Sequence, residues 1–242
     1  MLALLPLLAA VTGCGPHAHV PPVPAPQAIG ADTGRVARLA RSLAPVLYLQ
    51  RDEWFPLSRA VAVVHPHRRV IAYHLLWKDD VFGAWIPRTV PTDEEIVWVG
   101  YDTTGAPTEL WTYWHGTILH TAWPKRQVAI DVQWGKHGSL PHGIRPGHLP
   151  RYQTLNSFYA IQSLLVADFW LGNLTRKGPL CFCHGYRRYR DFDHTELLAD
   201  HLSAVVVAED PKPVLRAVFG EPYSEKPAWP WKNDLSKVKE IS

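Results

Sequence analysis

Between Val70 and Gly143, short polar stretches punctuate segments rich in β-branched and aromatic residues: Tyr73-His74, Asp79-Asp80, Asp93-Glu94-Glu95, Trp114-His115-Gly116 and Trp134-Gly135-Lys136-His137-Gly138. Side chains of an extended chain alternate with period two, so the carboxylates of Asp93 and Glu95 fall on one side. A loop carboxylate from Asp80 would complete an oxygen-rich cluster of the kind that holds Mg²⁺ or Ca²⁺, and imidazoles from His115 and His137 would tilt it toward Mn²⁺ or Zn²⁺. A cation there would clamp the head group of a sugar or lipid, or polarise a bound water. Two other readings of the same residues stay open. One is a carboxylate–histidine pair that moves protons without a metal. The other is a solvated strand start at Asp93-Glu94-Glu95 with a plain turn at Asp79-Asp80.

The histidines separate by their neighbours. His115 precedes Gly116 and His137 lies between Gly135-Lys136 and Gly138, at segment ends where a scaffold can aim a side chain. His74 sits within an apolar run and reads as a hydrogen-bonded core residue, while His120, His142 and His148 read as loop residues.

The elements that must position these groups are mostly strands. Val70–Trp77 is a continuous apolar and aromatic run, as in a buried strand. Glu95–Asp102 and Thr108–His115 flank Thr103-Thr104-Gly105-Ala106-Pro107, a hairpin connection. Gln127–Trp134 alternates, with Val128, Ile130, Val132 and Trp134 on one face, which predicts a half-buried antiparallel strand. Val46–Leu49 and Val61–Val64 are shorter strands, and a helix is predicted over Arg35–Leu43, with Val36, Leu39, Ala40 and Leu43 on one stripe. Ser157–Leu174 is apolar nearly all round and reads as a helix packed on the sandwich, since Gln162 and Asp168 argue against a membrane span. Thr195–Val207 reads as a second helix or a helix running into a strand, and the chain from Pro211 as an extended wrap. Together these predict a mainly β protein: an antiparallel β-sandwich with C-terminal helices packed on it, of the α+β class.

Composition bounds the function. Hydrophobic residues make up 47% and charged residues 19% of 242, enough for a substantial core. Eleven Trp and nine Tyr favour strands and fill cores, and aromatics also line glycan- or lipid-facing surfaces. A net charge of +3, with no basic run longer than Arg187-Arg188-Tyr189-Arg190 and no recognisable motif, argues against nucleic acid as the partner. Cys181-Phe182-Cys183-His184 is a poor disulfide, because its cysteines are one residue apart, and a poor zinc site, because two ligands are lacking. No Gly-x-Ser-x-Gly elbow, phosphate loop or dinucleotide fingerprint is present.

At the N-terminus, the apolar stretch Leu2–Val11 is about half the length a membrane span needs. It runs into Val11-Thr12-Gly13-Cys14, which resembles the bacterial lipobox. That resemblance implies a signal peptide over residues 1–13 and lipidation of Cys14. An ordinary export signal with a chance Cys is the alternative. Residues 14–33 follow as a tether, in which Pro16, Pro21, Pro22, Pro24 and Pro26 hold the backbone extended. The sandwich core is assigned to residues 34–150, and the helical extension and wrapping tail of the same domain to residues 151–242.

Tyr73-His74 with Trp77 and Asp79-Asp80, then Asp93-Glu94-Glu95-Ile96-Val97-Trp98-Val99, His115-Gly116 and Lys136-His137-Gly138, resemble the ordered landmarks of the necrosis-inducing (Nep1-like) protein family. A vacuolar-sorting-type family is similar too, through Leu47-Tyr48-Leu49, Asp52-Glu53 and Pro56. The resemblance spans roughly Leu47–Gly143. It implies a β-sandwich with Asp80, Asp93 and Glu95 as metal ligands and His115 and His137 beside them. The sequence departs from the motif at Val90, Thr92 and Glu94, where the family carries His, His and Trp.

The expectation is therefore an exported, lipid-anchored bacterial envelope protein. It would bind a glycan or lipid head group through an acidic cleft that a divalent cation, Mg²⁺ or Ca²⁺ ahead of Zn²⁺, can load. The alternatives are a metal-dependent hydrolase using the same cluster, with Glu95 or His137 as base, and a structural lipoprotein without a site.

Overall fold

The computed structural model describes residues 33–51, 53, 55–78, 93–144, 192–220, 226–232 and 238–241. The lipobox-like segment with Cys14, the Asp79-Asp80 step, His148, Ser157–Leu174 and Cys181-Phe182-Cys183-His184 lie outside the described residues.

Among the described residues the protein is mainly β, with eleven strands in two sheets and three helices. Helix α1 (Thr33–Leu43) leads into β1 (Val46–Leu49), β2 (Leu57–Val64) and β3 (Val70–Trp77). Strands β4 (Asp93–Tyr101), β5 (Pro107–Trp114), β6 (Thr117–Ala122), β7 (Ala129–Val132) and β8 (Ser139–Pro141) follow. The C-terminal part holds β9 (His194–Leu197), the one-turn α2 (Leu198–His201), β10 (Leu202–Val207), α3 (Lys212–Phe219), a 3₁₀ turn (Pro230–Lys232) and β11 (Val238–Glu240).

One sheet has the order β8-β7-β1-β9 and the other β10-β2-β3-β4-β5-β6-β11. The central meander β2 to β6 is antiparallel, as its short connections require. Both sheets are nevertheless mixed, because β1 pairs in parallel with β7, β10 with β2 and β11 with β6. Each parallel partner arrives after a long excursion of the chain, the only way a parallel neighbour can be reached.

The two sheets face each other across a core in which Leu47, Ile130 and Val132 meet Tyr73, Leu75, Val97 and Leu110. Helix α1 closes one side with Ala40 and Leu43, and Tyr73 donates its hydroxyl to Ala40 O at 2.7 Å. The opposite face of the larger sheet is also covered. Val61, Val63, Ala72, Leu76, Ile96 and Trp98 pack under Leu215 and Val218 of α3 and under Trp229. This double coverage explains why β3 is buried at every position and carries no polar face. It also dictates that a charged residue on the middle of β4 is buried whichever way it points.

Candidate functional site

The β3–β4 register sets Asp93 opposite Trp77 and Glu95 opposite Leu75, while Glu94 pairs with Leu76 on the other side of the strand. The three successive acids therefore divide between two covered faces. Side-chain exposure is 11% for Asp93, zero for Glu94 and 8% for Glu95, so this is not a solvated strand start.

Each acid meets a base from a different part of the chain. Asp93 Oδ2 accepts from His137 Nδ1 at 3.0 Å. Glu94 Oε1 lies 2.7 Å from Nδ1 of His74, so the core histidine of β3 is paired. Glu95 Oε1 is 3.4 Å from Nζ of Lys226, whose ammonium also stands 5.2 Å from the centroid of the Tyr113 ring.

His137 is fixed most tightly. It lies in the tight connection from β7 to β8, where its amide donates to Gln133 O at 2.8 Å and Gln133 N donates to Gly138 O at 3.0 Å. The turn places Gly135 at φ +67° and His137 itself at φ +56°, a left-handed conformation that a side chain beyond glycine adopts only when its surroundings demand it. Those surroundings are plain. The imidazole stacks on Trp77 at 4.2 Å between centroids and 5° between planes. Its Nε2 faces Glu53 Oε1 at 3.4 Å, an ion-pair contact rather than a hydrogen bond. Glu53 in turn accepts from the amides of Gly135 at 2.8 Å and Phe55 at 3.1 Å, bolting the turn to the β1–β2 connection.

His115 arises from a different local demand. The β5–β6 hairpin closes on two residues, since Trp114 pairs with Thr117, and both His115 (φ +46°) and Gly116 (φ +87°) are left-handed. Two positive φ angles are what a two-residue primed turn requires, and His is among the few residues beside Gly, Asn and Asp that accept them. The imidazole Nε2 then lies 2.7 Å from Gln133 Oε1, joining this hairpin to the His137 turn.

Burial and charge set the protonation states. Burial alone would lower the His137 pKa, but the carboxylates of Glu53 and Asp93 outweigh it and raise it to about 9, so the ring is an imidazolium at neutral pH. Burial would raise Asp93, yet its bond to His137 and the nearby charges of His137, Lys226 and Lys136 bring it below its ordinary value. Burial lifts Glu95 to about 8; Lys226 opposes this, and the neighbouring Asp93 and Glu94 add to it. Glu94 is raised by burial despite its bond to His74. His115 is lowered to about 4, chiefly by burial, and is neutral. Lys226, disfavoured by burial, is held well above its usual pKa by Glu95, Asp93 and Glu94.

Of the residues expected from the sequence, Asp93 and His137 touch directly, and Glu95 and His115 belong to the same electrostatic cluster. Asp80 lies outside the described residues. Among the described residues, no group of three or more His, Cys, Asp or Glu side chains is arranged to hold a metal ion. The geometry gives a reason: His137 presents its two nitrogens to carboxylates on opposite sides of the ring, so Glu53 and Asp93 cannot converge with it on one point. The oxygen that points to no partner is Glu95 Oε2, and Glu94 Oε2, Thr112 Oγ1 and Gln133 Nε2 are likewise buried without a hydrogen bond among the described residues.

Sequence reasoning missed Glu53, Lys226 and the pairing of Glu94. Only Glu53 left a signal, as part of Asp52-Glu53 in the vacuolar-sorting-type resemblance. His120 and His142 are corrected in part. His120 lies within β6, stacked on Trp111 at 4.6 Å with Nδ1 2.6 Å from Glu240 Oε1. His142 follows β8, as a loop residue should, but it is clamped by Asp131 at 2.5 Å and by the Tyr48 ring.

Fold and site thus define a class: a mainly β protein of two packed mixed sheets, with a buried acid–base cluster where the β3–β4, β5–β6 and β7–β8 ends meet. Comparison of the chain with protein-family models, curated proteins and solved structures returns no match. Among the described residues, no helix is long and apolar enough to cross a membrane.

Proposed function

We propose that this is an exported envelope protein, lipid-anchored through Cys14, that binds a polar surface ligand at the Asp93–Glu95–His115–His137 cluster. The ligand is a glycan or lipid head group, and a divalent cation, Mg²⁺ or Ca²⁺, held by Asp93 and Glu95 mediates its binding. The observation that carries this reading is Glu95, a buried carboxyl with one oxygen on Lys226 and the other without a partner, beside a second carboxylate on the same side of β4. A buried oxygen left unsatisfied costs about 1–3 kcal/mol, and a well-packed apolar residue would serve folding better. Such an expense is repaid at a site that meets a ligand.

A second reading, metal-assisted hydrolysis, draws on the Glu95 pKa of about 8, close to what a general base at neutral pH needs. His137 suits that role less, because both its ring nitrogens face carboxylates.

The test is thermal melting and calorimetric titration of the purified protein with MgCl₂ and CaCl₂, repeated on Glu95→Gln and Asp93→Asn. Cation binding that both substitutions abolish supports the reading, and a wild type indifferent to both cations defeats its metal component. Glycan arrays and vesicles of defined head group then test the ligand, and phosphoester, ester and glycoside panels test turnover. Absence of both binding and turnover leaves the structural lipoprotein. Replacing Cys14 with Ser, followed by lipid labelling and membrane fractionation, tests the anchor.

A further inference from the structure

Three of the four strands at the sheet edges are protected against pairing with another chain. β8 is three residues long and ends on Pro141, β11 is three residues long and carries Lys239 and Glu240, and β9 carries His194 and Glu196. β10 is different. Leu202-Ser203-Ala204-Val205-Val206-Val207 has no charge and no proline, is rich in β-branched residues, and among the described residues pairs only with β2. Its one irregularity, at Leu202–Ala204, lies at its start and leaves Val205–Val207 in regular register. The flank is also open. The two large hydrophobic side chains exposed among the described residues are Val207, at 39%, and Leu197, at 50%. Leu197 ends β9, and the single turn of α2 then carries the chain from the edge of one sheet to the edge of the other.

The backbone fixes which groups point outward. Ala208 N donates to Val64 O at 3.1 Å, and successive residues of a strand alternate, so the peptide groups of Val206 face β2 while the N–H and C=O of Val205 and Val207 face away from the sheet. An antiparallel partner must set outward residues against outward residues. A second copy related by a twofold axis at Val205 meets that rule: Val205 exchanges both hydrogen bonds with its own copy, and the exposed Val207 stands opposite the small, exposed Ser203 of the copy. Between Leu202 and Ala208 no charges oppose one another, and the flanking His201 and Glu209 come opposite as a donor and an acceptor. We infer that β10 is a self-association edge: two copies of this chain pair antiparallel through Val205 and Val207, joining their seven-stranded sheets into one and covering Val207. β2 and β3 separate this edge from β4, so the inference goes beyond the ligand-binding reading given above and does not depend on it.

Sedimentation velocity tests this on the purified full chain, with Cys14→Ser so that a lipid cannot associate it and with reductant so that cysteines cannot cross-link it. The chain shows a reversible monomer–dimer equilibrium at concentrations up to about 100 µM. Val207→Lys puts a charge on the open edge without touching the β2 ladder, and raises the dimer dissociation constant about tenfold or more. Residue-resolved hydrogen exchange gives a reading that needs no variant and stands even if Val207→Lys fails to fold. The amides of Val205 and Val207 are protected at high protein concentration and exchange freely on dilution, while those of Val206 and Ala208, which face β2, are protected at both. A chain that stays monomeric over that range overturns the inference, whether the two outward amides exchange freely, as at an open edge, or are protected at every concentration, as at an edge covered from within the chain. A dimer in which those amides do not respond to concentration associates elsewhere and overturns it too.

Discussion

Replacing His137 with Asn tests the electrostatic account of the site most sharply. Asn tolerates the left-handed backbone that His137 occupies, so the turn is preserved while the charge and the ring are lost. The folded-state pKa of about 9 stands above the unfolded value of 6.5, so protonation favours the folded form. The associated stability is fully present below pH 6.5 and is lost as pH rises through 9. Linkage gives about 3 kcal/mol for this term between pH 5 and pH 7 and close to zero near pH 10. A second, pH-independent part comes from the lost stacking on Trp77, on the order of 1 kcal/mol. Urea unfolding of wild type and His137→Asn across that range, with chelator present, should show a stability difference of about 3–4 kcal/mol at neutral pH that shrinks to about 1 kcal/mol near pH 10. Glu95 titrates in the same window and feels the His137 charge, so the comparison is repeated in a Glu95→Gln background, where only the His137 contribution is left. Parallel stability curves over the whole range would refute the assignment of His137 as an imidazolium held between Asp93 and Glu53.

Glu95→Gln carries the opposite sign. An acid whose pKa rises on folding from 4.5 to about 8 opposes folding above pH 4.5, so at neutral pH the amide stabilises the protein by about 1–3 kcal/mol, less what the Lys226 pair contributes. Its melting temperature should exceed that of wild type at pH 7 to 8 and converge with it near pH 4; a lower value at neutral pH would show that the ion pair outweighs burial. Gly138→Ala places a Cβ 3.0 Å from Gln133 Oε1 and 3.1 Å from Trp114 Cε3, both inside van der Waals contact. It should cost about 1–3 kcal/mol in urea unfolding and perturb the ring resonances of His115, the partner of Gln133. Trp229→Ala removes a fully buried ring and its bond to Glu209 O, and should cost about 3–5 kcal/mol while making the 226–232 segment protease-sensitive.

The central strands were legible because their composition speaks for itself. Val70–Trp77 appears with the bounds the sequence suggests, and the Gly105 turn is closed by Asp102 and Ala106 as a hairpin should be. The alternating run Gln127–Trp134 yields a strand only over Ala129–Val132. Its supposed solvent face is buried, with Asp131 turned to His142 and the Gly143 amide. Period two detects two faces; it cannot tell water from a covering loop. The tail was misread for a similar reason. The chain from Pro211 reads as an extended wrap, but proline is tolerated at the start of a helix, and Lys212–Phe219 forms α3 and ends at Gly220 with φ +79°. The parallel additions β10 and β11 depend on partners remote in sequence, which no local pattern encodes. The same holds for the site. Asp93 and Glu95 are marked by their spacing, whereas Glu53 and Lys226 reach them only through the tertiary fold.

The acidic run on β4 acquires its meaning from that tertiary context. On a sheet with one wet face, three consecutive acids would send the middle one, or the outer two, into water at little cost. Here both faces are covered, so Glu94 and Glu95 are buried and Asp93 nearly so, and each requires its own compensation. The chain supplies it from three separate elements: the β7–β8 turn gives His137 to Asp93, β3 gives His74 to Glu94, and the segment after α3 gives Lys226 to Glu95. His137 must also serve Glu53, so its charge is shared between two carboxylates. The shortfall falls on Glu95, whose pKa rises and whose second oxygen is unmatched. Two of the three compensating bases stand on backbone that folding alone fixes. The third comes from the segment 226–232, which Trp98 and Glu209 pin at Ala228 and Trp229, so the compensation of Glu95 depends on the C-terminal part of the chain docking on the larger sheet.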